Sequence, residues 1–208
     1  MAIKAVLFDM DGVVTDTETQ YDTFFHSFIP KYNLPSDFMS KIKGVRWPDI
    51  VSNYFSHMSE KEITDLATIV SDFEKNDLEY RPIPGIHDFI KELKAEGFKI
   101  ALVTSSMKFK ANIALEKLGL KNTFDAEVTG DDIQKGKPAP DCYLLAAELV
   151  GCKPDECVVF EDSFAGIEAG KKAGMKVIAL STTNSEESLQ SHTEKIIPDF
   201  ENFHSNQL

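Results

Sequence analysis

Carboxylate, hydroxyl and ammonium side chains cluster at the points where three short apolar segments end. Asp9 and Asp11 follow the first segment, Thr104-Ser105-Ser106 the second and Glu161-Asp162-Ser163 the third, while Lys137 lies in a polar stretch between the last two. In an open α/β sheet, ligands bind beyond the carboxyl ends of the strands. If the three segments are strands of one sheet, these side chains meet at one site.

The acidic residues of this set indicate a metal site. Carboxylates that converge repel each other, and a hard cation with oxygen ligands stabilises such a cluster. Mg²⁺ fits because it prefers octahedral oxygen coordination and works together with a substrate phosphate. Hydroxyl, lysine and backbone amide groups nearby are what binds phosphate in proteins. The sequence therefore predicts a magnesium-dependent site for a phosphorylated substrate.

Asp9 and Asp11 have the spacing that two different catalytic roles require. Asp9 ends a strand, so its carboxylate is held rigidly and could attack phosphorus in line, forming an aspartyl-phosphate. Asp11 stands two residues further on, across a turn that Gly12 permits. From there it would act first as general acid on the leaving oxygen and then as the base that activates water.

The elements that must position these residues alternate between strand and helix patterns. The strand patterns are Ala2–Phe8, Lys99–Val103, Ala126–Thr129, Cys157–Phe160 and Lys176–Leu180. The helix patterns, each closed by a glycine as a helix C-terminus favours, are Ile86–Glu96, Lys108–Leu118, Asp141–Val150 and Ala165–Ala173. This alternation predicts a doubly wound α/β core with a parallel sheet. The tail from Ser181 is polar and less patterned.

Four motifs in order resemble those of the haloacid dehalogenase (HAD) superfamily, in its β-phosphoglucomutase and sugar phosphatase branch. They are Asp9-Met10-Asp11-Gly12-Val13, Thr104, Lys137-Pro138-Ala139-Pro140-Asp141 and Glu161-Asp162-Ser163. The resemblance covers nearly the whole chain. It implies a Rossmann-like core and a phosphatase that hydrolyses a small phosphate monoester, a sugar phosphate above all.

The resemblance also implies roles for individual residues. Asp9 would be nucleophile and metal ligand, Asp11 acid/base and metal ligand through its carbonyl, and Asp162 a metal ligand. The implied phosphate-binding groups are Thr104, Lys137 and the amide of Ser105, and Glu161 would orient metal-bound water.

Residues 16–82 break the alternation and form the predicted second domain, so the core comprises residues 1–15 and 83–208. Helical patterns cover Tyr21–Phe28 and Ile63–Phe73, and Ser59-Glu60-Lys61-Glu62 is a capping-box pattern that begins a helix. The resemblance implies that this inserted region is a cap that closes over the site.

The chain departs from β-phosphoglucomutase at two cap positions. Tyr21 stands where that enzyme has a histidine, and Trp47 where it has an arginine. Arg46, one position away, is the candidate for binding a second phosphate. A mutase that moves the phosphoryl group between two sugar positions therefore stays an alternative, with a non-turnover phospho-accepting signalling module and a metal-free dehalogenase as more distant ones.

The amino-acid composition limits which partners and which cellular compartment are expected. The 208 residues include 22 basic and 34 acidic ones, for a formal net charge of −12, which opposes binding to nucleic acid or anionic membrane. Three cysteines without CxxC spacing favour a reducing cytoplasm, and the N-terminal apolar stretch is too short for an export signal. The expected partner is a small phosphorylated metabolite bound by a monomer.

Overall fold

The computed structural model describes residues 2–208, and a six-stranded parallel sheet lies at its centre. Apolar residues fill the central strands and are buried on both faces, as parallel sheets covered by helices require. The strands are β1 (Ala5–Phe8), β4 (Lys99–Val103), β5 (Ala126–Val128), β6 (Cys157–Glu161), β7 (Lys176–Leu180) and β8 (Lys195–Ile197), and they lie in the order β5-β4-β1-β6-β7-β8.

Helices cover both faces of this sheet. On one face pack α6 (Ile86–Ala95) and α7 (Lys108–Lys117), and on the other α8 (Asp141–Leu149) and α9 (Phe164–Lys172). Alternate residues of each strand face the two layers: Phe8 belongs to the first apolar cluster and Leu7 to the second. The rings of Phe8 and Phe160 stack at 5.4 Å in the first cluster, so aromatic packing fixes the two strands that carry the predicted acidic motifs.

Between β1 and α6 the chain forms a run of helices, which we call the helical unit. It is entered and left through a short antiparallel ladder of β2 (Thr15–Asp16) and β3 (Arg81–Pro82). Its own apolar cluster includes the fully buried rings of Phe38 and Phe55. The helices are α1 (Glu18–His26), α2 (Phe28–Lys31), α3 (Phe38–Ile42), α4 (Trp47–Ile50) followed by a π-helical turn (Val51–Phe55), and α5 (Glu60–Asn76).

The predicted fold class is confirmed, and the predicted strands and core helices are present with boundary shifts of a few residues. A glycine with positive φ follows each of the four core helices, at Gly97, Gly119, Gly151 and Gly174. The tail from Ser181, expected to be polar and less patterned, contains α10 (Glu186–Leu189) and then β8, which adds a strand to the sheet edge beside β7. Three residues are too few to show a strand pattern among polar neighbours. Across residues 2–208, every helix is either too short or too polar to span a bilayer.

We expect Ser59→Ala to lower the free energy of unfolding by about 1 kcal/mol, the usual cost of losing an N-cap. The Ser59 hydroxyl accepts from the Glu62 amide and the Glu62 carboxylate accepts from the Ser59 amide at 2.8 Å, so the predicted capping box is present. Urea unfolding of Ser59→Ala measures the loss. Ser56→Ala removes an exposed hydroxyl just upstream as the control, and equal midpoints for the two variants would contradict the prediction.

Candidate active site

The sheet brings the predicted motifs to one edge because its strands are in register. Phe8 in β1 aligns with Leu102 in β4 and with Phe160 in β6, so the residues that follow these positions emerge at similar heights. Five predicted residues line a cavity of about 140 Å³ between this edge and the helical unit. They are Asp9, Asp11, Thr104, Ser105 and Asp162.

Lys137 lies buried beneath this cavity and joins two carboxylates. Its Nζ donates to Asp9 Oδ1 at 2.6 Å and to Glu161 Oε1 at 2.5 Å, and only 1% of its side chain is exposed. Burial alone would lower the pKa of Lys137, but the two carboxylates raise it well above its usual value. The ammonium is therefore charged, and it fixes both acidic groups relative to each other.

Glu161 is held by donors on both carboxylate oxygens. Oε1 also accepts from the Tyr143 hydroxyl at 2.8 Å, and Oε2 accepts from the backbone amides of Asp162 and Ser163 at 3.0 and 3.1 Å. Burial would raise the pKa of Glu161, yet Lys137 and these hydrogen bonds keep it below its usual value. Glu161 thus organises the end of β6 and holds Lys137 in place.

Asp9 and Asp162 have the oxygens that a cation could use. One oxygen from each of Asp9, Glu161 and Asp162 lies within 4.8 Å of the others. Proximity alone makes Glu161 a third candidate ligand, but its hydrogen bonds already occupy both its oxygens. Within residues 2–208, Asp9 Oδ2 and Asp162 Oδ1 accept no hydrogen bond.

The charge balance at Asp9 and Asp162 also indicates that these two carboxylates could bind a cation. Burial, reinforced by Glu161, raises the pKa of Asp9 to about 8 against the opposing effect of Lys137. Burial and Glu161 also raise the pKa of Asp162 well above its usual value. The cluster is short of positive charge, and its oxygen donors suit a hard divalent cation such as Mg²⁺.

The turn after Asp11 packs against Asp162, and the segment after β7 forms hydrogen bonds with it. Gly12 has a φ of +75°, and a Cβ there would lie 2.0 Å from Asp162 Oδ2, so only glycine permits this approach. Thr182 Oγ1 donates to the Gly12 carbonyl at 2.6 Å and Asn184 Nδ2 to the Asp162 carbonyl at 2.8 Å. The Thr183 hydroxyl donates to Asp162 Oδ2.

Asp11 is fixed at the edge of the cavity by three side chains. Its Oδ1 accepts from Thr17 Oγ1 at 2.5 Å and Lys110 Nζ at 2.7 Å, and its Oδ2 accepts from Ser106 Oγ at 2.9 Å. Burial would raise the pKa of Asp11, but Lys110 and the hydrogen bonds lower it below its usual value. Hydrogen bonds to both oxygens therefore give the Asp11 carboxyl group a defined orientation.

The helical unit supplies a largely apolar wall to the cavity. Tyr21, Phe25 and Trp47 are among the residues that line it. The Tyr21 hydroxyl donates to Glu74 Oε1 at 2.7 Å. Tyr21 and Trp47, the two cap positions singled out in the sequence, thus both line the cavity.

Arg46 is the predicted phosphate-binding residue that the structure does not bring to the site. Its guanidinium donates to the carbonyls of Ile133 and Gln134 at 2.6 and 2.8 Å and to both oxygens of Asp49. Arg46 is buried and does not line the cavity. Its hydrogen bonds instead attach the helical unit to the core loop that precedes Lys137.

Several side chains of the site were not predicted from the sequence. The sequence places Ser106 at the site but does not identify its hydroxyl as a partner of Asp11, and Thr17, six residues after Asp11, lies just beyond the first motif. Lys110 lies within the predicted helix Lys108–Leu118, where a lysine is ordinarily exposed, but it is only 2% exposed. Thr183 lies in the polar, less patterned tail, where no local signal points to it.

Comparison with known proteins is consistent with this geometry. Residues 6–180 match the haloacid dehalogenase-like hydrolase family. Over 85% of the chain and 84% of the relative, the sequence is 32% identical to a phosphorylated carbohydrates phosphatase of Thermotoga maritima. It is 30% identical to a β-phosphoglucomutase of Bacillus subtilis, over 86% of the chain and 83% of that protein. A β-phosphoglucomutase structure from Clostridium difficile superposes with a TM-score of 0.79 at 24% identity, covering 99% of this chain and 95% of that one.

Lys137→Met is expected to destabilise the protein by about 3–5 kcal/mol, because it leaves the buried Glu161 carboxylate without its ammonium partner. The free energy of unfolding from urea titration measures the effect. Lys135→Met, which removes an exposed lysine from the same loop, is the matched control. If the two variants unfold at the same urea concentration, the buried ion pair does not have the structural role described here.

Proposed function

The chain belongs to the haloacid dehalogenase-like hydrolases, and we propose that it is a magnesium-dependent phosphatase that acts on a small phosphate monoester, specifically a sugar phosphate. One observation carries the proposal: Asp9, Asp11 and Asp162 line a single cavity above the buried Lys137. This arrangement combines a nucleophile, an acid/base and a cation site within reach of one phosphoryl group.

The residues divide the reaction into two steps. In the first, an Asp9 oxygen bonds to phosphorus as the bond to the leaving oxygen breaks, and Asp11 gives that oxygen a proton. In the second, Asp11 takes a proton from water, the water oxygen bonds to phosphorus, and inorganic phosphate leaves with Asp9 restored. The Thr104 hydroxyl and the Ser105 amide bind the phosphoryl oxygens, while Lys137 offsets their charge through Asp9.

Mg²⁺ would be held by the carboxylates of Asp9 and Asp162 and by the backbone carbonyl of Asp11. When bound, it neutralises negative charge on the transferring phosphoryl group. Glu161 would orient this group of ligands through its bonds to Lys137 and to the amide of Asp162.

Residues 16–82 act as a cap that excludes water from the reaction and selects the substrate. Contacts between the helical unit and the core support this role: Ser105 Oγ donates to the Gly44 carbonyl at 2.6 Å, and Arg46 binds the Ile133 and Gln134 carbonyls. The phosphorylated carbohydrates phosphatase among the relatives supports sugar phosphates as the substrate class.

A mutase of the β-phosphoglucomutase type is the second candidate, favoured by the relative of that name. Such an enzyme must bind a second phosphate in the cavity. The cations described in and beside the cavity are already paired: Lys43 with Glu18 and Asp22, Lys110 with Asp11, and Arg46 with Asp49. This pairing favours hydrolysis over transfer between two sugar positions.

The proposal places the enzyme in the cytoplasm as a monomer. Cys142, Cys152 and Cys157 are all free thiols, which is consistent with a reducing compartment. Size-exclusion chromatography with light scattering tests the oligomeric state.

With Mg²⁺ present, the purified protein should release inorganic phosphate from at least one member of a panel of sugar phosphates that includes β-glucose 1-phosphate. EDTA should abolish the release, and added Mg²⁺ should restore it. Inorganic phosphate and glucose 6-phosphate are measured in parallel. Formation of glucose 6-phosphate without phosphate would establish the mutase instead.

Asp9→Asn should abolish turnover, and Asp11→Asn should lower kcat by about 10²–10⁴-fold, the range for loss of a general acid/base. Steady-state kinetics on the best substrate of the panel measure both effects. Asp88→Asn, which neutralises an exposed carboxylate on α6, controls for net charge. A near-normal kcat in Asp11→Asn would refute its role as acid and base.

A further inference from the structure

A buried lysine outside the family motifs contacts the group to which we assign proton transfer. Lys110 lies in the first turn of α7, and 3% of its side chain is exposed. Its Nζ donates to Asp11 Oδ1 at 2.7 Å and to Ser106 Oγ at 3.0 Å, and lies 4.6 Å from the centre of the Tyr21 ring. A lysine is rarely buried unless its ammonium is paired with an acidic group, because burial removes the charge from water.

The contacts form a closed set around one carboxylate. Ser106 Oγ accepts from Lys110 and donates to Asp11 Oδ2 at 2.9 Å, so Lys110 binds one oxygen directly and orders the donor to the other. Thr17 also donates to Oδ1, which brings the donors to this carboxylate to three. With both oxygens held, the Asp11 carboxylate cannot rotate freely about its terminal torsion.

We propose that Lys110 is a positioning residue that holds the Asp11 carboxylate in the orientation needed for proton transfer to and from the phosphoryl group. The inference rests on the proposed function, since it assigns Lys110 to the acid/base step of that reaction. The connection from β4 to α7 then carries two groups of the site. Thr104, at its start, binds phosphate, and Lys110, in the first turn of α7, holds Asp11.

The proposal predicts a loss that depends on the leaving group. A nitrophenolate departs without protonation, whereas phenolate is a stronger base and depends on a general acid. In Lys110→Met, kcat/KM should change by less than about 3-fold for 4-nitrophenyl phosphate and fall by about 10–100-fold for phenyl phosphate, a part of the general-acid contribution. The kcat for both substrates should fall, because both need Asp11 as base in the second step.

Two further variants complete the experiment. Lys110→Arg keeps a cation that can bind Asp11 and should recover most of the phenyl phosphate activity. Lys117→Met removes an exposed lysine from the same helix and should leave both kcat/KM values unchanged. Circular dichroism and urea unfolding of each variant establish that it is folded.

The outcomes separate this inference from the proposed function. Failure of the wild-type protein to release phosphate with Mg²⁺ from both esters and from the sugar phosphate panel would overturn the phosphatase proposal and the Lys110 role with it. If the wild type is active but Lys110→Met loses the same factor in kcat/KM for both esters, the phosphatase stands and Lys110 is only structural. A loss confined to KM would make Lys110 a substrate-binding group and would likewise overturn the proposal.

Discussion

The buried pairing of Lys137 with Asp9 and Glu161 is the interaction on which the rest of the site depends. Carboxylates on neighbouring strands repel one another, and a low-dielectric environment strengthens that repulsion. One ammonium contacts both acidic groups, at 2.6 and 2.5 Å. Lys137 and Tyr143 thus donate hydrogen bonds to Glu161. At Asp9, Lys137 offsets only part of the effect of burial, and the pKa of Asp9 stays raised. The remaining deficit of positive charge at Asp9 and Asp162 supports the proposal that this edge of the sheet binds a divalent cation and a phosphoryl group.

The topology of the sheet supplies the other half of this arrangement. β1 lies between β4 and β6, with pairs in register on both sides, so residues far apart in sequence emerge side by side. The point where the strand order reverses leaves a crevice at the carboxyl ends, where ligands of such sheets bind. The helical unit is inserted immediately after β1 and covers the crevice. It forms hydrogen bonds with the core at two places: Arg46 donates to the loop that precedes Lys137, and the Gly44 carbonyl accepts from Ser105.

Local patterns were sufficient to predict the fold class and the motif residues, because each strand is a short apolar run ended by the polar group that matters. The same patterns could not identify partners set by tertiary packing. In the sequence, Lys110 resembles any exposed helical lysine, and only the packing of α7 beside the end of β1 brings it to Asp11. Thr183 contacts Asp162 only because β7 lies beside β6 in the sheet. The partners of Arg46 depend on tertiary packing in the same way. Its place beside Trp47 predicted a site for a second phosphate, whereas its guanidinium donates to the carbonyls of Ile133 and Gln134 and to Asp49. These partners depend on how the helical unit packs against the core.

The most direct test of the account is whether the phosphoryl group is transferred to Asp9. Asp11→Asn with 4-nitrophenyl phosphate and Mg²⁺ suits this measurement, because the good leaving group lets the first step proceed while the second lacks its base. Rapid quenching, borohydride reduction of the acyl phosphate and peptide mass spectrometry then locate the group. The account predicts a stoichiometric burst of nitrophenolate and modification of Asp9 alone. Hydrolysis without a burst and with an unmodified Asp9 peptide, or a phosphoryl group on another residue, would contradict it.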